Sequence, residues 1–123
     1  MTQREILKSD KLPAPAAPYS VATKWGNLLF ISGQVPSDTS QDIAGQTRQV
    51  MEKLKLIMAE AGTGYEHALK ATCFLTDINE FAQFNEVYRE YVGEEKPCRS
   101  TIQAPLAGPA FKVEVDMIVG IPD

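Results

Sequence analysis

Few residues of this chain are suited to chemistry, and they can be named at once. Arg99, in "KPCRSTIQAP", is a permanent cation with no acidic residue within three positions on either side. Glu114, in "FKVEVDMIV", is a carboxylate set into an otherwise apolar alternation, and Tyr19 offers a phenol at the end of the Pro/Ala-rich stretch "KLPAPAAP". A guanidinium fork takes a carboxylate through two parallel hydrogen bonds. A carboxylate can hold or deprotonate a water. Such residues could make a site for a small acid attacked by water, or Arg99 and Glu114 could simply pair as a salt bridge.

Other chemistries find little support. The single histidine, His67, excludes most metal sites and any histidine-centred triad, and it reads as a surface residue. Cys73 and Cys98 are too far apart for a metal or redox pair. Cys73 reads as core and Cys98 as a rim residue beside Arg99. The chain contains no G-x-S-x-G, H-E-x-x-H, Walker loop or G-x-G-x-x-G. No cofactor or metal is expected.

The elements that must position these residues follow from patterning. A chain of 123 residues with 44% hydrophobic and 23% charged residues fits one domain, residues 1–123, with a single core. Its net charge of −4 and lack of a basic cluster make nucleic acid an unlikely partner. No run approaches a membrane span, and "MTQREILKSDKLPAPAAP" lacks the apolar stretch of a signal peptide, so a cytoplasmic protein is expected.

Gly26-Asn27 separates two strand-like segments as a two-residue hairpin loop, which sets Trp25 against Leu28, Val21 against Ser32, and Tyr19 near Gln34. Ile43, Thr47, Val50, Met51, Leu54, Ile57, Met58 and Ala61 recur at helical spacing, and Gly62 stops that helix. Residues 70–76, "KATCFLT", read as a strand. Asp77 and Glu80 have capping-box spacing before a second helix, with a stripe of Ile78, Phe81, Phe84, Val87, Tyr88, Tyr91 and Val92. Two strands follow. The order is ββαβαββ, an α+β arrangement with two helices covering one face of a mixed sheet. The other face mixes Phe74 and Ile118 with Thr72, Thr76, Lys112 and Asp116, neither a good core nor a good solvent surface, which predicts a homo-oligomer.

An antiparallel hairpin centred on Leu106-Ala107 would pair Arg99 with Glu114. That pairing fits an ordinary cross-strand salt bridge as well as it fits a site for a small acid. Spacing alone leaves both open.

The whole chain resembles the Rid family of reactive intermediate deaminases, also called the YjgF family, with the older label endoribonuclease L-PSP. The resemblance runs through "APYS", "GNLLFISGQ", "QTRQVMEKLKLIMAEAG", "KATCFLTDINEFAQFNEVYREY", "RSTIQA" and "KVEVDMI". It implies a chorismate-mutase-like α/β fold and a homotrimer with three sites in the clefts between subunits. It further implies cofactor-free hydrolysis of 2-imino acids such as 2-iminobutanoate and 2-iminopropanoate to 2-keto acids and ammonia.

Carried over by position, Arg99 would grip the substrate carboxylate and Glu114 would position the attacking water. Tyr19 would line the cleft, Ser32 and Gly33 would form the strand end under the ligand, and Thr101 would offer backbone groups to it. Two departures stand out: Thr101 where the family often has Cys, and Ala17 where "GPY" is common. The competing functions are deamination of another enamine such as 2-aminomuconate, a non-catalytic carboxylate-binding module, and the older ribonuclease or translation-inhibitor activity.

Overall fold

The chain was analysed as a computed structural model that describes residues 3–123. Six strands form one sheet: β1 (Arg4–Ile6), β2 (Ala22–Trp25), β3 (Leu28–Gln34), β4 (Ala68–Leu75), β5 (Cys98–Gln103) and β6 (Val113–Gly120). Two helices, α1 (Ile43–Glu60) and α2 (Phe81–Val92), interrupt them, and the strands lie in the order β1-β2-β3-β6-β4-β5. Only β4 and β5 run parallel, joined through α2 as a parallel pair requires.

The helices form where the sequence places them. The Asp42 side chain accepts from the Gly45 amide at 2.9 Å, which satisfies one of the free N–H groups at the start of α1. Gly62 then takes a positive φ of 80°, open to a residue without Cβ, and the helix has ended. The expected stripe from Ile43 to Met58 is buried. It packs with Leu29 and Ile31 of β3, Cys73 and Leu75 of β4 and Val113, Val115, Met117 and Val119 of β6 in one core on one face of the sheet.

One buried polar residue interrupts the α1 stripe. Gln46 is fully enclosed, and its side chain donates to Thr39 O, Gln41 O and Ala110 O at 3.2–3.3 Å while accepting from the Lys112 amide at 2.8 Å. It ties α1 to the loop entering β6.

Four expectations need correction. The segment before the proline-rich arm contains β1, whose three residues are all exposed and carry no alternation that would mark a strand. Residues 98 to 119 do not form a hairpin: β5 pairs with β4, and β6 lies between β3 and β4. Arg99 is opposite Ala71, and Glu114 is opposite Phe74. Burial explains the choice. The alternate residues of β6 are fully enclosed and belong at the centre of the sheet, whereas β5 has only partly covered residues and suits an edge.

The supposed capping box also differs. Asp77 caps a 3₁₀ turn (Ile78–Glu80) through the Asn79 amide at 2.9 Å, and the Glu80 side chain makes no cap. Ile78 therefore precedes α2 and is exposed rather than part of its buried stripe. The β2–β3 hairpin matches its expected register, with Trp25 opposite Leu28 and the Ser32 amide on Val21 O at 2.9 Å.

Candidate active site

The candidate residues fall into two groups. Arg99 and Thr101 occupy alternate positions of β5, level with the buried Ala71 and Cys73, and so face the helices. The Arg99 Nη1 donates to Asn85 Oδ1 at 2.8 Å, and its guanidinium lies 4.8 Å from the Tyr88 ring centroid and 5.5 Å from that of Phe81. These are α2 residues one and two turns apart, so a single helix face holds the cation. No carboxylate pairs with Arg99 among the described residues.

Behind Arg99 lies an unusual polar layer. The buried Tyr88 hydroxyl and Thr101 Oγ1 both lack a hydrogen-bond partner. Burial pushes the Tyr88 phenol up to about 12, while the nearby Arg99 charge opposes the shift. Burial likewise raises the Cys73 thiol to about 12, so this cysteine is a core residue and no nucleophile. Cys98 is exposed at the rim.

The second group gathers on β3 and β6. Ile31 is opposite Met117 and Gln34 opposite Val115, so three steps on β3 match two on β6. Ser32 and Gly33 therefore form a β-bulge, the device that re-aims a strand beside a site. The Ser32 hydroxyl donates to Ser20 O at 2.6 Å, which anchors the bulge to the segment carrying Tyr19. Tyr19 and Gly33 line one cavity of about 380 Å³ with the arm residues Leu12–Ala16.

Glu114 sits against Gly33. A methyl group on Gly33 would stand 2.8 Å from the Glu114 carboxyl carbon and nearer still to its Oε2, so a side chain here would push this carboxylate aside. Burial raises the Glu114 pKa, and the Asp116 charge on the same face adds to it. Burial raises Asp116 too, against lowering contributions from Thr72 and Lys70. Both carboxylates lie on the sheet face turned away from the helices, since Val113 and Val115 fill the helix side.

Within one chain, then, Gly33 meets Glu114, Tyr19 shares a cavity with Gly33 on the α1 side, and Arg99 and Thr101 come together. The two sets do not meet. The expected Arg99–Glu114 contact is absent because the residues lie on opposite sheet faces with β4 between their strands.

Asn85, Tyr88 and Asp116 were missed by sequence reasoning. Asn85 had a readable signal, an amide flanked at i−4, i−1 and i+3 by aromatics. Asp116 had one too, as a second acid two residues beyond Glu114. His67 lies in the 3₁₀ turn Tyr65–His67, 3.7 Å from Glu66, as a half-exposed residue.

Among the described residues no group of His, Cys, Asp and Glu is placed to hold a metal ion, and no helix is long and apolar enough to cross a membrane. What the arrangement can do chemically is hold an anion at Arg99 and a partly desolvated carboxylate, with a proton or a water, at Glu114.

Comparison with known proteins fits this frame. The family model described as endoribonuclease L-PSP matches residues 9–121. A RutC family protein of Pyrococcus horikoshii is 40% identical over 94% of this chain and 96% of its own. The 3-aminoacrylate deaminase RutC of Acinetobacter baylyi is 34% identical, covering 96% of this chain and 98% of that one. The chloroplastic Reactive Intermediate Deaminase A of Arabidopsis thaliana is 32% identical over 94% of this chain and 65% of its own. Among solved structures, a Rid-family protein of Yersinia pestis superposes with a TM-score of 0.87 at 32% identity, covering 97% of this chain and all of that one. With the family model spanning nearly the whole chain and the fold superposing on a Rid-family structure, the protein belongs to the Rid/YjgF family, whose model bears the older description endoribonuclease L-PSP.

Proposed function

We propose that this protein is a cofactor-independent deaminase of reactive imino or enamino acids, of the 2-iminobutanoate or 2-iminopropanoate type. The observation that carries the reading is Arg99, a cation oriented by Asn85 and Tyr88 and left without a carboxylate of its own. Two relatives named as deaminases of reactive intermediates support the reaction class.

The substrate carboxylate binds the Arg99 fork, which fixes the imine carbon. A water held by the Glu114 carboxylate attacks that carbon, and Glu114 takes the proton. Addition to the protonated imine gives a carbinolamine; Glu114 returns the proton to its nitrogen, the carbon–nitrogen bond breaks as the hydroxyl becomes the carbonyl, and the hydroxyl proton passes back to Glu114, leaving a 2-keto acid and ammonia. A carboxyl with a raised pKa suits both halves of that exchange. Tyr19, Ser32 and Gly33 shape the Glu114 half, and Thr101 shapes the Arg99 half.

Because the halves lie on different faces of one chain, the reading requires a homo-oligomer, a trimer with clefts between subunits. Exposed apolar residues on the free sheet face, Phe30 at 40% and Ile102 at 49%, support such an assembly. The ribonuclease activity in the family description finds less support, since the net charge is −4 and the sole imidazole, His67, is paired with Glu66.

The test couples the protein to a threonine dehydratase and follows keto-acid release. Acceleration that disappears in Arg99→Ala supports the deaminase. Equal rates for the two proteins exclude it, and tight keto-acid binding without acceleration identifies a binding module instead.

A further inference from the structure

Arg99 is one of three cations around a single cavity. The cavity, about 230 Å³, is walled by Asn85, Tyr88 and Arg89 of α2, by Lys96 and Pro97 of the following loop, and by Arg99 of β5. No carboxylate lines it, and among the described residues Arg89, Lys96 and Arg99 form no ion pair. Three such cations on one small cavity are unexpected in a chain of net charge −4. Like charges held together repel until an anion offsets them. In the same wall, Tyr88 is 5% exposed and carries a hydroxyl with no partner, a second sign of a missing polar occupant.

One carboxylate satisfies Arg99. It leaves Arg89 and Lys96, both exposed at the mouth, without a counterpart. We infer that the substrate is a compact dicarboxylate: an imino or enamino acid whose first carboxylate binds Arg99 and whose second lies between Arg89 and Lys96. This rests on the deaminase reading for the chemistry and on the cavity for the second charge.

The experiment measures binding of 2-oxoglutarate, 2-oxobutanoate and inorganic phosphate by calorimetry at one fixed low ionic strength. The intact protein binds 2-oxoglutarate about tenfold more tightly than 2-oxobutanoate, the size expected from two partly exposed charge pairs. In the Arg89→Gln/Lys96→Gln double variant that ratio falls toward one, whereas Lys55→Gln, on the exposed side of α1, retains it. Equal binding of the two keto acids by the intact protein overturns the inference. So does a ratio that survives in the double variant, or phosphate binding as tightly as 2-oxoglutarate. Imine hydrolysis without dicarboxylate selectivity defeats this inference alone. Selectivity without hydrolysis defeats the deaminase reading and leaves the dicarboxylate site in place.

Discussion

Arg99 and Glu114 stand on opposite faces of the sheet, on strands separated by β4. Strands two places apart are about 10 Å distant before the thickness of the sheet is added. No small acid spans that gap through the core. The proposed function therefore needs a second copy of the chain to bring its Glu114 face to the Arg99 edge of the first.

Assembly is therefore the first expected outcome. The protein should sediment near three times its 13.5 kDa chain mass. Ile102→Glu, a charge on the exposed apolar face of the edge strand β5, should dissociate it and abolish turnover together. A wild-type mass of one chain would remove the intersubunit site.

Arg99→Lys tests geometry rather than charge. Lysine keeps the cation but not the planar fork that meets Asn85 Oδ1 and stacks on Tyr88. Loss of one charge-assisted hydrogen bond predicts a fall in kcat/KM of about 10- to 150-fold. Full activity in this variant would show that a point charge suffices.

Gly33→Ala should spare the fold and damage the site. The added methyl meets the Glu114 carboxyl, which must swing away for the bulge to survive. Overpacking of this kind costs about 1–3 kcal/mol, read as a lower Tm. The activity loss should exceed what reduced folding explains, since the water-holding group is displaced. Unchanged kcat/KM with the same crystal position for Glu114 would contradict this.

Acid dependence follows from the raised carboxyls. Glu114 and Asp116 hold protons more tightly folded than unfolded, because burial disfavours their charge. Stability contributed by each therefore falls as pH climbs from the ordinary carboxylate value through the raised one, and the penalty is complete above it. Glu114→Gln should raise Tm at neutral pH, with the gain fading below about pH 4. The same variant should lose the rising limb of the pH–rate profile. A lower Tm at neutral pH would show that Glu114 has a stabilising partner.

Much of this was legible in the sequence, for identifiable reasons. The α1 stripe and the Gly26-Asn27 turn are local patterns, and both appear as read. The Arg99–Glu114 pairing failed because strand partnership is not local. Equal distance from Leu106-Ala107 suggested a hairpin, but Val113–Val119, enclosed at alternate positions, competes for the centre of the sheet and wins it. The bulge at Ser32-Gly33 leaves no pattern except glycine itself. Asn85 among its aromatics could be noticed in the sequence, but that it and Tyr88 hold Arg99 could not, because that depends on which face of α2 meets β5.

Gln46 joins the first turn of α1 to the start of β6 across a long stretch of sequence. The Lys112 amide, two residues before Glu114 in the chain, finds its acceptor only on a side chain 66 positions earlier in the sequence. Opening the first turn of α1 should therefore loosen the start of β6, where the Thr76 amide on Lys112 O at 3.1 Å remains as a second tie. Hydrogen exchange should accordingly show the Lys112 amide opening with α1 rather than with the loop in which it lies. A glutamine with no part in the proposed mechanism thus links the stability of α1 to the placement of Glu114.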